Sequence, residues 1–479
     1  MAAVVAVLVG ASGLLAYEFV LAPSGPCMTL GGSNPVKSVV RSTSFGALTE
    51  YQLPTPSRWS NAIAVAQDGS VWFGEQSVPG LGHLYTNGTL TEYPWPSAAH
   101  PANSNCGFET SIWGVALWNG MVWGTDGDQN ALVGLNPQSG ATRVLNVTGE
   151  TTFPYTLATA PDGSLWFTAL ASTAVLGRVK ADYSLSVYPV SGLGKEVPTQ
   201  VEFVNSTYAY FVALNPLNNS GGLFSFNPSA VNSAVTPTRL GGSFQLSSPD
   251  SVSSGGGIVW VTQHGAASLA AFDTRSRGWT LYPTSVENYT ITTLPYFVDV
   301  AGGRVWFNEH YGSKVAFIDP SRQTMTEYSE TQHPVTNGSG IGNDLTIATT
   351  EQGAWFTSTT GNYIGFADGS YAPSFTLLPG GGGSASSQPG GQFTLHFSLS
   401  GSWSKPLSVN FSDSESYTSV PKLISMVPDA QSFKPGAGPA QLVVRVSLAS
   451  SLKAGQYTLA VTATDGLVYQ TAFVFLTVS

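Results

Sequence analysis

Apolar and polar residues alternate in short runs along most of this chain, and Gly, Asn, Asp or Pro interrupts the runs every few positions. Such runs read as half-buried β-strands separated by tight turns. One unit recurs. Gln67-Asp68-Gly69-Ser70-Val71-Trp72-Phe73 returns as Pro161-Asp162-Gly163-Ser164-Leu165-Trp166-Phe167, with related copies around Trp123, Tyr210, Trp260, Trp306 and Trp355. Its aromatic stands at 72, 123, 166, 210, 260, 306 and 355, at intervals of 43 to 51 residues. In the copies an apolar stretch runs into a hairpin turn, most often Asp-Gly or Gly-Gly, where Gly supplies positive φ. The Trp-Phe strand follows. A third strand contains Gly, as in Leu176-Gly177-Arg178, and a fourth reads Thr-Glu-Tyr or Leu-Tyr-Pro.

Seven copies at the length of a four-stranded blade predict an all-β chain built on a seven-bladed β-propeller over residues 48–379. A β-sandwich of repeated hairpins does not explain the fixed period. Leu48–Pro54 has the fourth-strand pattern ahead of the first full blade, so it predicts ring closure by an N-terminal strand; Phe375–Leu378 competes for the same place. Residues 380–391 are Gly, Ser and Pro rich and read as a flexible linker. Residues 392–479 alternate in short strands and predict an immunoglobulin-like β-sandwich without the cysteine pair of antibody domains. The role expected of it is a spacer or adhesion module.

The N-terminal stretch changes the picture. Ala2–Ala22 is apolar apart from Glu18. That length spans a bilayer at ~20 residues. It equally suits a cleaved signal peptide within residues 1–22, with Ala22, Ser24 and Gly25 as small residues for cleavage. Either reading makes 23–47 a connector and puts the remainder outside the cytoplasm, secreted or anchored to a membrane. Seven N-x-S/T acceptors agree with export as glycosylation sites: Asn87, Asn146, Asn205, Asn218, Asn288, Asn337 and Asn410. An exported chain also permits a Cys27–Cys106 disulfide; two unrelated thiols are the alternative.

Charge then excludes one class of partner. The chain has 18 Lys and Arg in 479 residues and a net charge of -10, so it lacks the basic surface that nucleic acid requires. No GxSxG elbow, phosphate loop or HExxH helix is present.

In a blade of this kind the residues just after Trp-Phe meet the start of the first strand at one rim of the central channel. These positions hold Glu75, Asp126, Gln263 with His264, Glu309 with His310, and, from the first strands, Asn61, Asp250, Asn343 and Asp344. Carboxylates, amides and two histidines at one mouth suit a polar ligand or a divalent cation. A solvated rim of scattered polar side chains is the plain alternative.

The repeat resembles that of the virginiamycin B lyase (streptogramin lyase) family. The resemblance rests on Asp162–Thr168, Trp306-Phe307-Asn308-Glu309-His310 and Trp355-Phe356-Thr357, and covers about residues 48–379. It implies a seven-bladed propeller and a lyase that opens a cyclic depsipeptide by elimination, using Mg²⁺ with Glu and His at one channel mouth. On that basis Glu309 is the expected metal ligand, and His310 and His264 are the expected base or ligands. The N-terminal segment and the appended sandwich depart from a soluble enzyme of that kind. The reading preferred from the sequence is therefore a surface propeller that binds a ligand, glycan or protein partner. A metal-dependent lyase or hydrolase is the alternative, and a structural subunit of a surface layer or filament is the second alternative.

Overall fold

The computed structural model describes residues 25–26, 35–54, 60–75, 79–95, 105–106, 112–127, 129–147, 152–171, 173–285, 293–310, 312–330, 344–358, 361–414 and 422–479. Among these residues, seven antiparallel sheets carry four successive strands each and stand as blades 1 to 7. Their innermost strands are Ser60–Val65, Val115–Trp118, Thr152–Thr159, Val197–Asn205, Pro249–Gly255, Pro295–Ala301 and Asp344–Thr349. Each packs against the next, and the seventh packs against the first, so the ring is closed. Closure comes from the N-terminus: Leu48–Gln52 forms the fourth strand of blade 7, pairing with Tyr363–Asp368, and Arg41–Phe45 extends that sheet. The expected connector also contributes Val36–Val39, which adds a fifth strand to blade 1.

The sequence grammar has a packing cause. A Cβ added to the third-strand Gly82, Gly177 or Gly365 would lie 2.2, 1.9 or 2.0 Å from the ring of Phe73, Phe167 or Phe356 on the neighbouring strand. The aromatic of the second strand covers the third strand, and only Gly leaves it room.

A second recurring device holds the channel rim. In six of the blades a register shift lies near the start of the first strand and follows a residue paired at or next to the end of the second, as between Pro154 and Leu157 or Pro249 and Val252. The residue after the repeat aromatics clasps the bulge. Thr168 Oγ1 accepts the Thr156 N–H at 3.1 Å, Thr262 Oγ1 the Ser251 N–H at 3.0 Å, and Thr357 Oγ1 the Thr346 N–H at 3.2 Å. In blade 6, Asn308 Oδ1 accepts the Phe297 N–H at 2.9 Å. The same hydroxyls donate onward to the next blade: Thr125 to the Tyr155 carbonyl (3.3 Å), Thr168 to Thr199 (2.9 Å), Thr262 to Tyr296 (2.9 Å) and Thr357 to Asn61 (3.2 Å).

The C-terminal part has two sheets that share one apolar core. One contains Phe375–Pro379, Gln392–Trp403, Ala440–Leu448 and Ile424–Pro428; the other contains Val468–Val478, Gly455–Thr464 and Leu407–Asp413. Phe375–Pro379 thus belongs here and not to the ring. The expected flexible linker is corrected as well. Gly381, Gly382 and Gly383 turn with φ of 64, 75 and 66°, and Ser384–Ser387 pairs in parallel with Phe475–Val478. Composition shows the small residues but not the strand edge waiting beside them.

Val468–Val478 also pairs with Thr324–Ser329, the outer strand of blade 6, so one sheet runs from the propeller into the C-terminal part. Tyr282 of blade 5 packs on Phe473 and Phe475 with ring centroids 5.1 and 5.7 Å apart. Gln470 Nε2 donates to Thr326 Oγ1 at 2.9 Å, and Ser412 Oγ to the Thr284 carbonyl at 3.0 Å.

No helix among the described residues is long and apolar enough to cross a membrane. Residues 2–22, Cys27, Asn288, Asn337 and Asn343 lie outside the described residues, and so does any Cys27–Cys106 bridge.

Two outcomes follow from these contacts. Thr262→Val keeps shape but leaves the Ser251 N–H without its acceptor, and urea denaturation should show a loss of about 1–3 kcal/mol; Thr262→Ser should recover most of it. Glu50, on the closing strand, has its carboxyl pushed up to about 8, first by burial and then by Glu330. The folded state therefore holds a proton that the unfolded chain releases near the ordinary value of 4.5. Stability should fall as pH rises from about 5 to 8 and then level off. Melts across that range should show the fall flattened in Glu50→Gln.

Candidate functional site

The clasped starts of the first strands and the ends of the second strands bring side chains together at one rim from several blades. Trp113 comes from blade 2, Tyr155 from blade 3, Asp250 and His264 from blade 5, and Tyr296 and His310 from blade 6. All six are buried. The phenols of Tyr155 and Tyr296 are hydrogen-bonded at 2.7 Å. Blades 3 and 6 are not neighbours in the ring, so this bond crosses the channel. The Trp113 ring lies 5.4 Å from Tyr155 and 6.3 Å from Tyr296, which extends the crossing to blade 2.

The histidines join this aromatic plug. The His264 ring centroid is 5.0 Å from Tyr296 and 5.9 Å from His310, and His310 is 5.5 Å from Tyr296. His264 Nδ1 stands 3.8 Å from Asp250 Oδ2. Burial pushes the Tyr155 phenol well up, and the negative charge of Asp250 adds to the shift. Tyr155 is therefore a neutral hydrogen-bonding group at any working pH. The cluster offers two imidazoles, one carboxylate and three large aromatic faces.

The sequence-predicted residues divide accordingly. Asp250, His264 and His310 come together. Gln263 sits beside them in the chain but bridges the sheets of blades 4 and 5: its Oε1 accepts the Ser247 N–H at 3.2 Å and its Nε2 donates to Ser268 at 2.8 Å. Asp126 caps its own turn by accepting the Gln129 N–H at 3.0 Å. Asn61 and Glu75 are buried at the corresponding rim of blade 1, where the Asn61 carbonyl accepts the clasp from blade 7. Asp344 begins the first strand of blade 7, opposite Ser358.

Glu309 stands apart from the expected metal role. It is fully buried, with the Lys314 ammonium 3.8 Å from Oε2. Lys314 also lies 3.7 Å from Glu327 and donates to Ser285 Oγ at 2.8 Å. A carboxylate beside a buried cation already has its counter-charge. Among the described residues, no group of three or more His, Cys, Asp or Glu is arranged to hold a metal ion. The donor set described here therefore does not fit the Mg²⁺ that the lyase resemblance implies.

The residues that sequence reasoning passed over are Trp113, Tyr155 and Tyr296, because only polar rim positions were counted. A signal was present. Proline precedes the bulge residue in four blades, as Pro154-Tyr155, Pro198-Thr199, Pro249-Asp250 and Pro295-Tyr296. Proline donates no ladder hydrogen bond and so marks an interruption of pairing.

The acceptor asparagines are placed unevenly. Asn87, Asn146, Asn205 and Asn218 are exposed and Asn410 is half-buried in a strand. Asn205 and Asn218 use their side-chain oxygens within their own turns, accepting from Thr207 and Ser220.

Neither a protein-family model nor a curated protein matches this sequence. Solved structures do. The selenomethionine-substituted crystal structure of virginiamycin B lyase from Staphylococcus aureus aligns with a TM-score of 0.52 at 19% identity, covering 67% of this chain and 98% of that one. A catalytically inactive histidine-to-alanine variant of that lyase with quinupristin aligns equally well. A streptogramin B lyase structure aligns with a TM-score of 0.51 at 17% identity, covering 67% of this chain and 96% of the other. The propeller of this chain thus has the virginiamycin B lyase fold.

Proposed function

We propose that this chain is an extracellular or cell-surface propeller protein that binds a ligand, glycan or protein partner at the channel mouth around Asp250, His264, Tyr296 and His310. The observation that carries this reading is the convergence of Trp113, Tyr155, Tyr296 and the two histidines from four blades onto one crossing of the channel. Large aromatic faces with a few placed polar groups are the usual make-up of a recognition site. In the same reading residues 2–22 direct export or anchor the chain, exposed acceptor asparagines carry glycans, and the C-terminal sandwich is an immunoglobulin-like surface module.

A glycan and peptide array probed with the full chain tests it. Binding to a defined subset is expected to fall at least tenfold in His264→Ala and in His310→Ala, with circular dichroism unchanged. An array profile identical in wild type and both folded variants would overturn the mouth as the site.

The two histidines also favour a lyase reading. An imidazole beside Asp250 suits proton abstraction from a cyclic ester, and the relative of the same fold loses activity when a histidine is replaced. In an elimination the Cα–H and ester C–O bonds break, an alkene and a carboxylic acid form, and the opened product keeps the mass of the ring. Hydrolysis would add one water. Quinupristin incubated with the full chain, with Mg²⁺ or with chelator, distinguishes these outcomes by chromatography and mass. A product of unchanged mass that disappears in His264→Ala and His310→Ala would establish the lyase. Unaltered quinupristin under both conditions leaves binding as the account.

A further inference from the structure

A groove of about 830 Å³ opens between blades 1 and 2 on the opposite rim, where the Asp-Gly turns lie. Its wall includes Asp68, Trp72, His83, Tyr85, Trp118 and Gln138, and it contains one carboxylate and no Lys or Arg. His83 is stacked on Trp72 with centroids 3.9 Å apart and lies 3.9 Å from the Tyr85 ring.

The repeat supplies an internal comparison. In blade 3, Asp162 Oδ1 accepts the Ser164 N–H at 2.9 Å and its hydroxyl at 2.5 Å. Asp162 Oδ2 pairs with the Arg178 guanidinium at 2.5 Å, Arg178 Nε reaches Ser164 Oγ at 3.2 Å, and the guanidinium lies 5.3 Å over Trp166. Blade 1 has the same turn: Asp68 Oδ1 accepts the Ser70 N–H at 3.0 Å and its hydroxyl at 2.6 Å. His83 occupies the register of Arg178, opposite the repeat tryptophan. Its Nε2 reaches Ser70 Oγ at 2.8 Å, but no cation among the described residues takes the place beside Asp68 that Arg178 takes beside Asp162.

Charge keeps that place open. The Ser70 hydroxyl and N–H hold the Asp68 carboxyl below its usual range, so it is ionised. Burial pushes His83 down to about 4, so its ring is neutral at pH 7. Both carboxylates stand at exposed turn positions, and Asp162 has its arginine beside it.

We propose that the groove between blades 1 and 2 binds a guanidinium-bearing ligand, whose cation pairs with the open oxygen of Asp68 beside the Trp72–His83–Tyr85 stack. A guanidinium fits better than an ammonium because its planar fork matches a carboxylate and its face stacks on aromatic rings. This site shares no residue with the channel mouth.

The test titrates the full chain with capped arginine (N-acetylarginine amide) and with capped citrulline, its uncharged near-isostere, followed by calorimetry or NMR. Saturable arginine binding is expected, with citrulline at least tenfold weaker. Asp68→Asn should weaken arginine binding about tenfold. His83→Arg should do the same by supplying the guanidinium from within, as blade 3 does, while Asp162→Asn should leave it unchanged. A five-residue peptide with a central arginine separates the sources: tighter binding than capped arginine assigns the site to a protein side chain, equal binding to a small molecule. Equal citrulline affinity, no saturation, or unchanged binding in folded Asp68→Asn and His83→Arg would overturn the proposal. Should Asp68→Asn fail to fold, His83→Arg alone decides between these outcomes.

Discussion

The clasp made by the residue after the repeat aromatics is the interaction on which the rest of the propeller depends. A blade's own ladder fixes its four strands but says nothing about its neighbour. The hydroxyls of Thr125, Thr168, Thr262 and Thr357 do both: each accepts an N–H near the start of its blade's first strand and donates to a carbonyl of the next blade. Thr199 continues the chain from blade 4 to the Pro249 carbonyl of blade 5 at 3.2 Å. These groups are buried, so an unmade bond costs more than a made one contributes. The ring spacing is thereby set at the rim where the first strands begin, and the aromatic plug is assembled at that same rim.

The C-terminal part bears on the same architecture. An outer blade strand is an open edge with unpaired N–H and C=O groups. In blade 6 that edge is covered by Val468–Val478, and the strand after it belongs to a second apolar core. Blade 6 supplies Tyr296 and His310, so the blade that contributes most to the plug is also continuous with the appended sheets. The two parts are joined through a ladder and side-chain packing as well as through the chain between them.

How far the fold was legible depended on whether a feature repeats. The period of the aromatics, the turn glycines and the third-strand Gly were readable because each recurs for a local reason: positive φ at the turn, or an aromatic ring lying over a position without a Cβ. The N-terminal closing strand was readable because Leu48–Gln52 carries the fourth-strand pattern. The path of Ser384–Ser387 was not, since its partner lies about ninety residues later and small residues encode no register. At the site, His264, His310 and Asp250 were found by their blade position. The tyrosines were missed because their role comes from crossing the axis, a distance that no single repeat contains. Glu309 shows a different limit of the motif. Its motif position matches a metal-binding pattern, yet Lys314, five residues on and across a hairpin, supplies the positive charge.

These placements separate the two rims chemically. Tyr155 and Tyr296 meet across the channel near the starts of their first strands, with Trp113 against both. A chain with only 10% charged residues then has few ionised groups with which to distinguish partners. It buries several of its carboxylates, some beside Lys314 or a tyrosine hydroxyl and Glu50 with a raised pKa. Asp68 differs by being exposed, ionised and set beside stacked rings. The groove on the turn rim thus presents one carboxylate beside stacked rings, while the mouth presents ring faces and imidazoles beside Asp250. At one register position the repeat has Arg178 in blade 3, which pairs with the turn carboxylate of Asp162, and His83 in blade 1, which reaches the Ser70 hydroxyl instead.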